Sequence, residues 1–260
     1  MAGRVNTPSP DGSSWVVYVD GLNFYAAVRG RPAAKWVDFG KLAKRLVPAG
    51  GSLSGVKYFT AQISDKAAED PASPRRQRLL IRAIRATEGV EVFEGKFQVP
   101  ESYRSISSKN DWHQRLRPPL PQVVLDADPA HFETHDARPW KAKVVLPQEK
   151  FTDVAIASHL LRDFYKEHTT NDIVVSNDSD LSPAIELAVG DGHTVGVFSP
   201  MGTVSRSLKE SATWAKSIRP ELPDMCQLPD DVQEPGRSRV ISRPRAWKNT
   251  GAPPKRGPGS

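Results

Sequence analysis

Short runs of β-branched and aromatic residues recur along this chain at 15–19, 55–60, 90–97, 172–176, 194–198 and 214–218, with helical patterns between most of them. No other feature narrows the fold so far. Strands that alternate with helices pair in parallel through right-handed crossovers, because a tight hairpin cannot join parallel neighbours. The predicted fold is therefore α/β, a parallel sheet of five to six strands flanked by helices.

The helical stretches carry their own start and stop signals. Asn23 is placed to cap a short helix through Val28. Asp38 opens another whose apolar positions Phe39, Leu42, Ala43, Leu46 and Val47 keep the helical period until Pro48 and Gly50. Residues 75–88 put Leu79, Leu80, Ala83 and Ile84 on one face with arginines around the rest, and Gly89 ends that helix. From Asp153, the residues Ala157, Leu160, Leu161 and Phe164 follow at offsets of four, seven, eight and eleven, which predicts a helix whose buried face begins at Asp153. Residues 181–189, closed by Gly190, and 205–211 are the last two helices.

Between these elements the composition changes. Residues 1–13, rich in Pro, Ser and Gly, read as a flexible lead-in to a domain over 14–219. Residues 98–148 show no sustained period and read as an irregular insertion, with a hairpin pairing 123–125 with 141–146. His131 and His135 within it have no recognisable third ligand and are assigned to a surface loop. Residues 220–260, dense in Pro, Gly and Arg, read as a disordered basic tail. After Glu234 there is no acid, while Arg237, Arg239, Arg243, Arg245, Lys248, Lys255 and Arg256 carry more positive charge than the formal +6 of the whole chain. The basic field therefore belongs to the tail and not to the domain.

Cys226 is the single cysteine, which excludes a disulfide framework and a cysteine-based zinc site and fits a reducing compartment. The first residues lack the apolar stretch of a signal peptide, and no later run approaches the roughly 20 apolar residues that cross a bilayer. The expectation is a soluble cytoplasmic chain without a membrane partner, its oligomeric state open to a homo-oligomer.

The chemistry points to the strand ends. The first strand runs into Asp20-Gly21-Leu22-Asn23 and the fourth into Ser176-Asn177-Asp178-Ser179-Asp180. In open α/β sheets the carboxyl ends of the strands face the ligand crevice, so Asp20, Asp178 and Asp180 converge there if these two strands are neighbours, and Asp153 joins them from its helix. Two carboxylates about 4 Å apart repel by roughly 4 kcal/mol at a moderate dielectric. A cation is expected between them, and oxygen ligands of this kind select Mg2+ or Mn2+, which activate water and neutralise charge on a phosphodiester.

Three motifs in order, Val-Asp20-Gly-Leu-Asn23-Phe, Glu149-Lys150-Phe-Thr-Asp153-Val-Ala-Ile-Ala and Val-Ser176-Asn177-Asp178-Ser179-Asp180-Leu, resemble those of NYN domains, relatives of the PIN nucleases. The likeness spans 14–218 apart from the insertion. It implies a Rossmann-like, PIN-like sheet and a metal-dependent ribonuclease with RNA as its partner. Asp20, Asp153, Asp178 and Asp180 would be the catalytic, metal-binding acids, and Asn23, Lys150, Ser176 and Asn177 the substrate-binding set. By the same likeness Asn23 orders Asp20, and Lys150 meets a phosphate. The chain departs from the family at His159, where members often carry a further Asp, and at Asn177, where many have Gly.

Other readings compete. A non-catalytic RNA-binding or regulatory module on the same fold would use the acids for a structural ion and the tail for affinity. A haloacid-dehalogenase-like phosphatase would need an Asp where this chain has Leu22, and no Gly-Lys-Ser or Gly-Lys-Thr supports a phosphate-binding loop. Taken singly, Asp20-Gly21 fits an ordinary turn, Asp180 fits a cap on the helix containing Pro183, and His159 fits a pair with Asp163 one turn on.

Overall fold

Alternate residues of the first strand separate two cores: Trp15, Val17 and Val19 face one side and Tyr18 the other. A strand buried on both faces belongs in the middle of a sheet, and β1 (Ser14–Asp20) does lie there. The computed structural model describes residues 13–62, 70–96, 101–106, 140–145, 151–167, 171–236 and 238–248. In chain order the elements after β1 are α1 (Gly21–Ala27), α2 (Phe39–Leu46), β2 (Ser52–Gln62), α3 (Ser73–Arg85), β3 (Val90–Lys96), β4 (Glu101–Ile106) and β5 (Trp140–Val145). There follow α4 (Thr152–Glu167), β6 (Asn171–Val175), α5 (Ser182–Gly190), β7 (Thr194–Ser199), α6 (Arg206–Ser211), β8 (Trp214–Ser217), α7 (Leu222–Met225), β9 (Asp231–Gln233) and β10 (Val240–Ser242).

Six strands form one sheet in the order β3-β2-β1-β6-β7-β8, every pairing parallel. This is the α/β sheet expected from the alternation of elements. Helices α1, α2 and α3 supply Phe24, Phe39, Leu42, Leu80 and Ile84 to the core under Trp15, Val17 and Val19. Helices α4, α5 and α6 supply Ile156, Leu160, Ile185 and Leu208 to the core on the side of Tyr18. The order reverses between β1 and β6, so the carboxyl ends of these two neighbours border the crevice.

Several details differ from the sequence reading. Asp20, not Asn23, caps α1, its side chain accepting the Asn23 N–H. The buried face of α4 runs through Thr152, Ile156, Leu160 and Asp163, one residue out of phase with the expected stripe, so Asp153 is only half-buried. The insertion does contain an antiparallel pair, but Trp140–Val145 pairs with Glu101–Ile106. Residues 123–125, proposed as the partner, lie outside the described residues, as do His131 and His135.

The largest difference lies beyond 219. Residues 220–236 and 238–248 fold onto the first core as α7, the β9–β10 hairpin and a single turn at Arg245–Trp247. Leu222, Cys226, Leu228, Val232, Ile241 and Trp247 are plugs in that core. The strap is tied down by Asp38 N–H to Cys226 O at 2.8 Å, by Leu228 N–H to Trp36 O at 3.0 Å, and by Arg243, which donates to Ala33 O and Gln227 Oε1. The plugs follow no helical or strand period, which is why composition alone suggests disorder.

Trp247 is 3% exposed, with its ring 6.3 Å from that of Trp36. Trp247→Ala is expected to destabilise the chain by about 3–5 kcal/mol, read as a lower urea midpoint at unchanged slope. A change of a few tenths would mean that the segment does not hold the domain together.

Candidate active site

Asp20 ends β1 and begins α1, in an extended conformation that suits a cap. Its Oδ1 accepts the Asn23 N–H at 2.9 Å and its Oδ2 accepts the Ser176 hydroxyl at 2.8 Å. The Ser176 hydroxyl in turn accepts the Asp178 N–H at 3.0 Å. One carboxylate therefore fastens the loop after β1 to the loop after β6. A second line of bonds runs alongside: Asn23 Oδ1 accepts the Asn177 N–H at 3.0 Å, and Asn177 Oδ1 accepts the Ser205 N–H at 2.8 Å. The loops after β1, β6 and β7 are thus tied at the carboxyl edge of the sheet.

Beneath this turn lies Tyr58. A methyl group on Gly21 would fall 2.4 Å from the Tyr58 ring and hydroxyl and 2.7 Å from Phe59 O, so only glycine lets α1 start so close to β2. Burial and the nearby Asp20 push the Tyr58 phenol well up, which keeps it neutral. Tyr58 and Ser205 are members of the site that sequence reasoning missed. One contributes a packed ring and the other a backbone N–H, and neither leaves a motif.

Asp20 is 2% exposed, and burial raises its pKa from 3.8 to about 6, with the Asp178 charge adding to the rise. The bonds from Asn23, Ser176 and Leu22 oppose the shift without cancelling it. All of these donors are neutral, and among the described residues the groups that bear most on the carboxyl include no cation.

The expected acids divide into two places. Asp20 and half-buried Asp178 act on each other at the crevice, with Asn23, Ser176 and Asn177 around them. Asp153 and exposed Asp180 line an adjoining cleft of about 500 Å3 with Val154, Ala157, Ser158 and Leu161. Among the described residues no three of His, Cys, Asp and Glu are grouped to hold a metal ion. The phase of α4 turns Asp153 towards the rim, and the short 3-10 turn Ser179–Leu181 carries Asp180 outward. Asp178 caps that turn by accepting the Asp180 N–H, and Asp180 gives no side-chain cap to α5. Lys150 lies outside the described residues.

His159 does not pair with Asp163. Its ring packs against Phe93 at 4.2 Å and Phe59 at 5.4 Å, and burial and Lys57 lower its pKa. Asp163 is held by the Tyr18 hydroxyl at 2.6 Å and by the Lys57 ammonium. Among the described residues no helix is long and apolar enough to cross a membrane.

No protein-family model matches the chain. The chain is 27% identical over 255 residues to 6-hydroxy-3-succinoylpyridine 3-monooxygenase HspA of Pseudomonas putida (strain DSM 28022 / S16), a match covering 89% of this chain and 74% of that protein. A solved structure of a protein of unknown function, VPA0982 from Vibrio parahaemolyticus RIMD 2210633, is similar with a TM-score of 0.44 and 17% identity, over 83% of this chain and 98% of that one. The comparison is with an enzyme, but its name corrects the expected reaction. A monooxygenase oxidises its substrate with oxygen, whereas a ribonuclease hydrolyses one, so the similarity overturns the ribonuclease expectation. The non-catalytic RNA-binding alternative gains no support from it either.

A dinucleotide is the cofactor that a sheet of this order suggests. The first turn does not fit one. The head of α1 is occupied by the Asp20 carboxylate, and Gly21 is used to approach β2.

The raised pKa has a consequence for stability. Asp20 binds its proton more tightly in the folded chain, so its contribution is fully present below about pH 4 and is lost as pH rises through about 6. At 1.36 kcal/mol per unit the loss is about 3 kcal/mol at most. Asp20→Asn is therefore expected to gain stability over the parent at pH 8 relative to pH 4, by up to that amount, in urea melts at the two pH values. Parallel pH profiles would show that Asp20 titrates normally.

Proposed function

We propose that this chain is an oxidoreductase that introduces oxygen into a small hydroxylated heteroaromatic ring, with the crevice between β1 and β6 as its active site and Asp20 as its acid–base group. The observation that carries this reading is a buried carboxyl with a pKa of about 6 on a chain similar over 89% of its length to a pyridine monooxygenase. At a ring carbon bearing hydrogen, hydroxylation replaces C–H by C–OH, consuming O2, two electrons and two protons and releasing water; at a carbon bearing an acyl group, as position 3 of 6-hydroxy-3-succinoylpyridine does, C–acyl is exchanged for C–OH and the same O2, two electrons and two protons carry the acyl group off as a carboxylic acid. The ring becomes a better target for electrophilic oxygen when its existing hydroxyl gives up a proton. A carboxyl poised near 6 can take that proton and return it.

The surrounding residues supply orientation. Asn23 and Asn177 each spend Oδ1 on a backbone N–H, which fixes the amide and leaves the Nδ2 donors for a ring oxygen. The adjoining cleft, apolar along Val154, Ala157 and Leu161, receives the remainder of the ring system. The two electrons come from a diffusible reduced nicotinamide or flavin.

The test uses 18O2 with 6-hydroxy-3-succinoylpyridine and simple hydroxypyridines as probes, and reduced nicotinamide with a flavin reductase as donor. One 18O atom is expected in the product by mass spectrometry. Asp20→Asn should lower kcat/KM by about 100- to 10,000-fold and abolish the rise of rate with pH through about 6. No label in any probe, or an undiminished variant, would discard the assignment.

A further inference from the structure

Counted in chain order, the six parallel strands lie 3-2-1-4-5-6. Sheets of this order hold the pyrophosphate of a dinucleotide at the head of the first helix, over a Gly-x-Gly-x-x-Gly turn whose bare backbone N–H groups face the phosphates. The corresponding turn here reads Asp20-Gly21-Leu22-Asn23-Phe24-Tyr25. Its N–H groups point at an anion, but the anion is internal: Asp20 accepts from Asn23 N–H at 2.9 Å and also from the Leu22 backbone. Gly21 packs inward against Tyr58 and Phe59 O and offers no approach to a ligand.

The neighbouring strand end reinforces this. Asp178 acts electrostatically on Asp20, and among the described residues the groups that bear most on Asp20 include no Lys or Arg. Asn23 Oδ1 and Asn177 Oδ1 then close the loops after β1, β6 and β7 upon one another, so the floor of the crevice is already hydrogen-bonded. Helix α1 itself has only seven residues, a short dipole for a doubly charged guest.

We propose that the crevice at this switch point is closed to diphosphate-bearing cofactors, because the Asp20 carboxylate stands where their pyrophosphate would, and that it admits neutral or cationic ligand groups instead. A dinucleotide that serves this chain docks away from residues 20–24 and 176–180. The proposal rests on the turn and the sheet order and not on the acid–base reading, so either can fail alone.

The full chain is titrated separately with NADH, NADPH, FAD and FMN, with and without Mg2+, by calorimetry, and hydrogen exchange is followed by mass spectrometry at the highest ligand concentration. Exchange at 20–24 and 176–180 is expected to be unchanged in every case. Absence of binding supports the proposal, and so does saturable binding that slows exchange only elsewhere. Saturable binding that slows exchange at 20–24 and 176–180, with or without Mg2+, overturns it.

Discussion

The carboxylate of Asp20 is the joint on which the functional edge of this sheet depends. It ends the central strand, starts the first helix and receives the Ser176 hydroxyl from the neighbouring strand's loop. Without it the α1 terminus would lose its cap, and the Ser176 hydroxyl, which accepts the Asp178 N–H, would lose the acceptor that orients it. A buried carboxyl served only by neutral donors is costly to ionise, and that cost keeps it titratable near neutral pH. Architecture and chemistry are thus demanded of the same two oxygens.

Elsewhere in the same layer the chain solves the burial of a carboxylate differently. Asp163, on the inner face of α4, meets the Lys57 ammonium from β2 and the Tyr18 hydroxyl from β1. Asp172, at the start of β6, meets His193 at 2.7 Å, while burial raises its pKa. The first is an ion pair that pins a helix to the sheet, and removing its lysine would leave an uncompensated charge. Among the described residues, the groups that bear most on Asp20 include no such partner. Asp163 is thus paired within the packing, whereas Asp20 and Asp172 both have pKa values raised chiefly by burial and differ in that Asp172 has an imidazole beside it.

The strands were legible in the sequence because each is a compact run of β-branched or aromatic residues bounded by turns, and burial on both faces leaves little ambiguity in such runs. The phase of α4 was not. Both Asp153 and Thr152 can begin an apolar stripe, and a helix turns about 100° per residue, so a slip of one moves Asp153 from the core to the rim. The segment after 219 was misread for another reason. Its core plugs, Leu222, Cys226, Leu228, Val232, Ile241 and Trp247, are single residues spaced by mostly polar residues and Pro, and only the three-dimensional path reveals that they share one core. Asn23 looked like a cap because its residue type suits one, yet the strand delivers Asp20 to that position first.

The acids themselves were visible, and their grouping was not. A motif reports which side chains stand at the strand ends, whereas the chemistry depends on what each carboxyl faces. If four acids met, mutual repulsion would demand a metal ion. In the structure two of them share the crevice and two line the cleft beside it. Asp20 and Asp178 still repel at the crevice, and what the structure adds is a buried carboxyl raised mainly by desolvation and further by that neighbour.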